Sequence, residues 1–515
     1  MHNLLLEPTF TLRQGLKLTL PGLLASLARD EVDDLTALRP HQMPAWHMFT
    51  VQLAALAMDR AAEITLPESE TRWRTLLSNL TADAGNDAAW TLVVPDLSSP
   101  AFLQPPCQPE VVWTQTVTAP DALDVLILAK NHDLKQNQMR LAEAEDWAFA
   151  LVAMQTGDGF GGKKNYGIAR MNGGSSSRPM LSRVPVKSQT DARPRPGAWF
   201  RRDVAIALKH RKRVLEDNHF GYMTAGDVGL VWTVPWPENE QLSLAQLDPL
   251  FIEVCRRVRL VNQDDSIVAN TGISSSPRIS SSDFKGNLGD IWAPIHRRDL
   301  KSLTLNEGEF DYRRMVDLLL GPNWHLPESA KRQEGDRHSA ILAAALARSQ
   351  GRTNGYKERL ILLPDDIAEL IDDEPEVVQG AARVLLEASL DVVTAVRVAI
   401  ALAVANGDKQ ALQSRDFRFA DSFSDQLDQT IDRMFFPWLW SLVRAKASGD
   451  VEQEMELQAR QATALAREAA SLLEIALPTV PCGSARRREA EKAARRFLQR
   501  QLEERFGTLI ALEDR

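Results

Sequence analysis

The chain has 515 residues, 44% hydrophobic and 25% charged, which excludes a disordered or fibrous protein and exceeds what a single core ordinarily supports. Two or more domains are therefore expected. A formal net charge of −9 excludes a uniformly basic nucleic-acid coat.

In chain order, the first forty residues predict a short strand pair around Leu4 to Leu20 with Gly15 in its turn, then a helix from Pro21. Trp46, Phe49, Leu53 and Leu56 recur at helical spacing and mark one buried stripe. Helices are predicted over Glu68 to Leu80 and Glu143 to Gln155, with a strand-like run at Trp90 to Val94. Gly157 to Pro196 carries no sustained periodicity and reads as a long exposed loop system. Strands return at Gly229 to Trp236, Val258 to Val261, Trp292 to Ile295 and Leu303 to Leu305, and Ser339 to Ser349 reads as a helix. Beyond Pro364 come long Ala- and Leu-rich helices: Glu376 to Ala405 closed by Asn406-Gly407, Asp421 to Lys446 bent at Pro437, Val451 to Ala476 capped by Asp450, and Ser484 to Gly507. The expected architecture is α+β, with a mixed domain over 1–364 and a four-helix bundle over 365–515.

The richest local signal is Gly157-Asp158-Gly159-Phe160-Gly161-Gly162-Lys163-Lys164, which matches GxGxxG and nearly matches a phosphate-binding loop. Such a loop follows a strand and opens a helix. Here a predicted helix precedes it, Asn165, Gly167, Asn172, Gly173 and Gly174 oppose a helix after it, and Lys164 stands where a magnesium-binding hydroxyl belongs. A nucleotide-binding enzyme built on Gly157 to Lys164 remains the alternative reading, and a pure assembly scaffold is a third. From Gly159 to Arg213 there are fourteen Lys and Arg against two acids, a segment of about +12 on a remainder of about −21. Lys163, Lys164, Arg170 and Arg178 are the candidate phosphate contacts. The last helix adds a second basic run from Arg486 to Arg505, readable as a solvated face or as a DNA-binding one. Most of the twelve tryptophans read as core, with Trp199, beside Arg201-Arg202, the exception to test for base stacking.

Cys107, Cys255 and Cys482 are far apart and form no CxxC, and His132-Asp133 lacks further ligands, so neither a metal nor a cofactor is expected. The opening Met1 to Pro8 has no signal-peptide pattern, and the longest apolar stretch, Val392 to Ala405, contains Arg397 and is too short to span a bilayer. A cytoplasmic protein without membrane contact is expected.

Several short stretches, in order along the chain, resemble the CasA family, the large subunits of type I-E CRISPR Cascade complexes. They are Asn3-Leu4-Leu5 with Glu7-Pro8, Trp90-Thr91-Leu92, Pro100 to Gln104, the glycine loop Gly159 to Gly162 followed by Gly173-Gly174, Gly289 to Ile295, and Gly351 to Tyr356 with Glu358-Arg359. The resemblance implies a mixed N-terminal domain and a C-terminal four-helix bundle, and no catalytic site. It implies an antiviral, RNA-guided surveillance role: recognition of the protospacer-adjacent motif as duplex DNA, the start of strand separation and R-loop formation, and help in recruiting a helicase-nuclease or a nuclease domain carried by another subunit. Its implied partners are crRNA, target double-stranded DNA and the other Cascade subunits. Carried over by residue, the motif-reading set is Gly159, Phe160, Gly161 and Gly162, then Lys285 with Arg278 as rival, then Thr353, Asn354 and Gly355. The family's wedge glutamine is not evident in that last turn. Asn131, Lys135 and Arg140 fall where the family contacts crRNA and a neighbouring subunit. Family members that bind zinc do so through cysteines that this chain lacks.

Overall fold

The computed structural model describes residues 2–84, 86–108, 111–123, 142–264, 266–306, 308–349 and 352–513. They fall into two compact units, Met1–Phe310 with Pro322–Leu363 and Asp311–Gly321 with Pro364–Arg515. The fold is α+β: the first unit is mixed and the second helical. Among the described residues, no helix is long and apolar enough to cross a membrane.

The first unit opens with the strand pair β1 (Phe10–Thr11) and β2 (Lys17–Leu18), antiparallel around Gly15 at φ 83°. Helix α1 (Leu20–Ala28) is started by Thr19, whose hydroxyl accepts the Gly22 amide at 3.0 Å. Helix α2 (Met43–Arg60) carries the Trp46, Phe49, Leu53 and Leu56 stripe, but its other faces are buried as well, so it runs through the middle of the core. Helix α3 (Glu70–Leu80), strand β3 (Trp113–Val117) and helix α4 (Ala144–Gly157) follow.

Gly157 to Pro196 departs from the loop expected there, since it contains strands β4 (Met180–Ser188) and β5 (Asp191–Pro194). Strand β4 is nearly continuously buried because neighbours cover both of its faces, so it shows no alternation of apolar and polar residues to read. Helix α5 (Pro196–Asp217) comes next, then the antiparallel pair β6 (Arg257–Gln263) and β7 (Ser266–Gly272), with β3 on the other edge of β7. Ser339 to Ser349, expected as a helix, is strand β8, paired with β9 (Arg352–Leu363) on one side and β4 on the other. The four-stranded order is β9-β8-β4-β5, antiparallel throughout. Ala340 to Ala347 are all buried, and the strand is paired on both edges, so tertiary context overrides a strong helix propensity. Leu303 to Leu305 form no strand, and Trp90 to Val94 contributes only a single bridge, Thr91 with Asn3.

The second unit contains α6 (Tyr312–Leu320), α7 (Asp365–Asp373) and four long helices: α8 (Pro375–Val404), α9 (Ser414–Ser448), α10 (Val451–Ala476) and α11 (Arg487–Glu513). Val378, Leu385, Val392 and Ala399 of α8 repeat every seven residues and are buried, as are Leu427 and Ile431 of α9 and Leu465 of α10. Gly407 donates its amide to Leu402 O at 2.8 Å and closes α8, and Asp450 accepts from Gln453 N at 2.9 Å to open α10. Helix α9 continues through Pro437, and α11 does not stop at Gly507 but runs through it. Tyr312 of α6 packs on Phe435 at 4.7 Å between ring centres, and its hydroxyl donates to Asp428 at 2.8 Å.

Candidate nucleic-acid interface

Helix α4 delivers the chain into the glycine loop, and β4 takes it back into the core. Between them the backbone is pinned at several points. Phe160 N donates to Gly174 O at 2.7 Å, Gly161 N to Asn165 O at 2.9 Å, Asn165 N to Gly162 O at 2.9 Å and Ile168 N to Asp158 O at 3.0 Å. Gly162 to Asn165 is a tight turn with Lys164 in the left-handed region at φ 67°. Asp158 is buried, its carboxylate 2.9 Å from Arg256 and 3.5 Å from Arg348, and the Arg256 guanidinium also donates to Gly159 O. These anchors were not apparent from the sequence, since Arg256 and Arg348 lie far along the chain. An acid set among glycines was the available hint.

The loop does not have the form of a phosphate cradle. A helix precedes it, none follows, and the Phe160 and Gly161 amides that would face phosphate are already bonded within the loop. Gly159 is corrected as a contact residue. It is buried, and a Cβ there would stand 2.3 Å from Ser176 O and 2.7 Å from Gly174 O, so its lack of a side chain serves close backbone packing. The outward part is Phe160, Gly161, Gly162 (φ 123°, open space at its Cβ position) and the exposed Lys163 and Lys164.

The structure brings other predicted segments to the same place. Lys285 is exposed, at φ 51°, and with Phe160, Asn172, Gly174 and Ser281 lines a groove of about 360 Å³. Its carbonyl accepts the Ser302 amide at 3.1 Å. The β8–β9 hairpin is linked to the glycine loop through Asn306: Asn354 Nδ2 donates to Asn306 O at 3.0 Å, and the Asn306 side chain lies 3.3 Å from the Cβ position of Gly174. Thr353 pairs in register with Arg348 across a bulge, and Gly355 sits at φ 93° with open space around it. Asn131, Lys135 and Arg140, like His132-Asp133, lie outside the described residues.

Two of the four phosphate candidates are corrected. Arg170 is 2% exposed, stacked 3.7 Å over Phe251, 3.4 Å from Glu253 and bonded to Pro249 O. Burial pushes the Glu253 carboxyl up and the Arg170 guanidinium down, and the pair is a packed interior contact. Arg178 is likewise 2% exposed, with Nε 2.6 Å from Asp290 and Nη1 3.1 Å from Gln52 Oε1. Burial works to raise Asp290, but the Arg178 charge and hydrogen bond outweigh it and hold the carboxyl below its usual range. Arg278, the rival to Lys285, is buried against Trp236 and bonded to Val234 O and Pro235 O, and burial with Arg257 nearby pulls it down to about 10. Trp199 is no stacking platform: it is buried, 3.5 Å over His47, with its indole N–H on Ser182.

Part of the +12 segment is therefore drawn into the fold, while Lys187, Arg193, Arg195, Arg201, Lys212 and Arg213 keep side chains 38–79% exposed. Arg195 and Arg201 share Asp30, Arg202 meets Asp203 and Asp336, and Arg211 meets Asp59 and Asp248. Of the groove-lining residues the exposed cation is Lys285, with Lys163 and Lys164 exposed on the turn that follows Phe160. Among the described residues no cluster of three or more His, Cys, Asp or Glu is placed to hold a metal ion, and burial pushes the Cys255 thiol beside the groove up to about 11.

A mixed unit that clamps a glycine loop at a groove, together with a four-helix bundle, defines a large two-unit α+β protein. No protein-family model matches the chain, and no curated protein matches it in sequence. Solved structures do match in fold. Thermus thermophilus CasA superposes with a TM-score of 0.64 at 15% identity, covering 98% of this chain and 99% of that one. Thermobifida fusca Cse1 gives 0.61 at 14% identity, covering 98% of each chain. The chain thus has the CasA/Cse1 fold over nearly its whole length.

Proposed function

We propose that the chain is the large subunit of a type I-E Cascade surveillance complex, and that it reads the protospacer-adjacent motif in duplex DNA and starts strand separation. The observation that carries this reading is convergence. The glycine loop and Lys285, more than a hundred residues apart in sequence, line one groove, and the Thr353 to Gly355 turn is tied to its rim through Asn354 on Asn306 beside Gly174. A minor groove presents acceptors, the guanine amino group and a characteristic width, so close backbone approach at Gly161 and Gly162 with one inserted lysine reads shape and a few hydrogen bonds. Lys163 and Lys164 attract phosphate without specifying sequence. Sequence reading is delegated to crRNA pairing, and the work of this chain is binding and opening without bond-breaking chemistry of its own. Asn131, Lys135 and Arg140 are proposed to meet crRNA and a neighbouring subunit, and a helicase-nuclease, or a nuclease domain on another subunit, is proposed to degrade the target.

The test is reconstitution with the neighbouring Cascade subunits and a guide RNA, followed by binding to a target library randomised beside the protospacer. Motif selectivity is expected with this chain and not without it. Selectivity that survives its omission overturns the proposal.

A further inference from the structure

Of the 17 Phe, 12 Trp and 4 Tyr in the chain, Phe160 alone is exposed, with 39% of its surface open, and it stands on the glycine loop. It is the most exposed aromatic side chain of the chain and it lines the groove, so its ring is presented to whatever enters there. Its mount is rigid. The Phe160 amide is bonded to Gly174 O, Gly159 beneath it is locked against Ser176, and the Gly167 Cβ position is 2.9 Å from Phe160 N. Its aromatic neighbour is Tyr166, edge-on at 6.4 Å between ring centres and itself tied to Ser275 O through its hydroxyl. Lys163 and Lys164 follow within one turn, and Lys285 lines the same groove.

Proteins that open or bend a duplex from the minor groove insert an apolar wedge between base steps and hold the flanking phosphates with cations. We propose that Phe160 is such a wedge: its ring inserts beside the first target base pair and unstacks it while Lys163 and Lys164 hold the backbone. The inference rests on the duplex-reading function proposed above and assigns the opening step to a side chain within the glycine loop, not to the Thr353 to Gly355 turn.

The test uses the assembled complex with its guide RNA and duplexes carrying 2-aminopurine at successive steps beside the motif. Phe160→Ala is expected to bind a motif duplex lacking guide complementarity within about threefold of wild type, because the phosphate contacts and the backbone approach at Gly161 and Gly162 remain. It is expected to lose the fluorescence rise at the first target step and to slow R-loop formation at least about tenfold, a loss of stacking of the size seen for single aromatic platforms. Phe160→Trp keeps both. Two results overturn the wedge: Phe160→Ala opening the first step as wild type does, or binding and opening falling by the same factor, which makes Phe160 a packing residue of the loop. Failure of the underlying reading is distinguishable, because wild-type complex would then show no motif dependence in either readout.

Discussion

Arg178 separates a structural charge from a functional one, and Arg178→Ala tests the difference. The guanidinium and the Asp290 carboxylate are almost fully buried, 2.6 Å apart, with Gln52 on the other side. Removing one partner leaves the other charged and unpaired in the interior, at a cost of about 3–5 kcal/mol. For a unit of this size, about 2 °C is lost per kcal/mol, so the mixed unit is expected to melt roughly 6–10 °C lower. Thermal unfolding followed by near-ultraviolet circular dichroism reads this directly. Combining Arg178→Met with Asp290→Asn removes the stranded charge, keeps the acceptor for Trp292 N, and is expected to recover at least half of the loss. Because Asp290 is held below its ordinary value, its contribution is present above the unfolded carboxyl range and lost as pH falls through it. The gap between wild type and Arg178→Ala is therefore expected to narrow below about pH 4. An Arg178→Ala protein that melts within about 1 °C of wild type yet loses duplex binding would refute the interior assignment and return Arg178 to the phosphate contacts.

Three further outcomes follow from the same structure. Lys163→Ala with Lys164→Ala is expected to leave stability within about 0.5 kcal/mol of wild type while the slope of log affinity against log salt falls by about 1–2, measured by duplex titration across salt concentrations. His47 is buried on Trp199, and burial keeps its imidazole below the ordinary value despite Asp203, which also answers Arg202. The unfolded chain then binds the extra proton first, so stability falls as pH drops from about 7 to 5 by up to about 1.4 kcal/mol per unit, and His47→Gln flattens that limb in urea titrations at several pH values. Gly507 lies within α11 with open space at its Cβ position, so Gly507→Ala is expected to stabilise the helical unit by about 1 kcal/mol in denaturant unfolding.

The helical unit was legible because its apolar residues repeat at helical spacing over long stretches and its ends carry cap residues such as Asp450 and Gly407. Strand β8 was not, because Ala340 to Ala347 has the composition of a helix and becomes a strand only between β4 and β9. Strand β4 was hidden for a related reason, burial on both faces. The glycine loop could be placed correctly after a helix and apart from a phosphate cradle, since both judgements depend on local residues. Arg170 and Arg178 could not be sorted from Lys163 and Lys164 by sequence, because their partners Glu253 and Asp290 stand 83 and 112 residues away. A cation count gives the charge of a segment, and only the partner decides whether that charge reaches solvent.

Helix α6 belongs by contact to the helical unit but is encoded well before the rest of it. Tyr312 seeks its partners Asp428 and Asp432 at separations of 116 and 120 residues. At synthesis rates of roughly 5–20 residues per second, those partners emerge about 6–24 s after Tyr312. During that interval Met315, Val316, Leu318 and Leu320 have no bundle to enter, while β8 and β9, encoded between α6 and the rest of its unit, are being made. The nascent chain thus carries an amphipathic helix whose apolar face stays uncovered until the bundle is made. It also means that a fragment beginning at Pro364 is missing a piece of its own core.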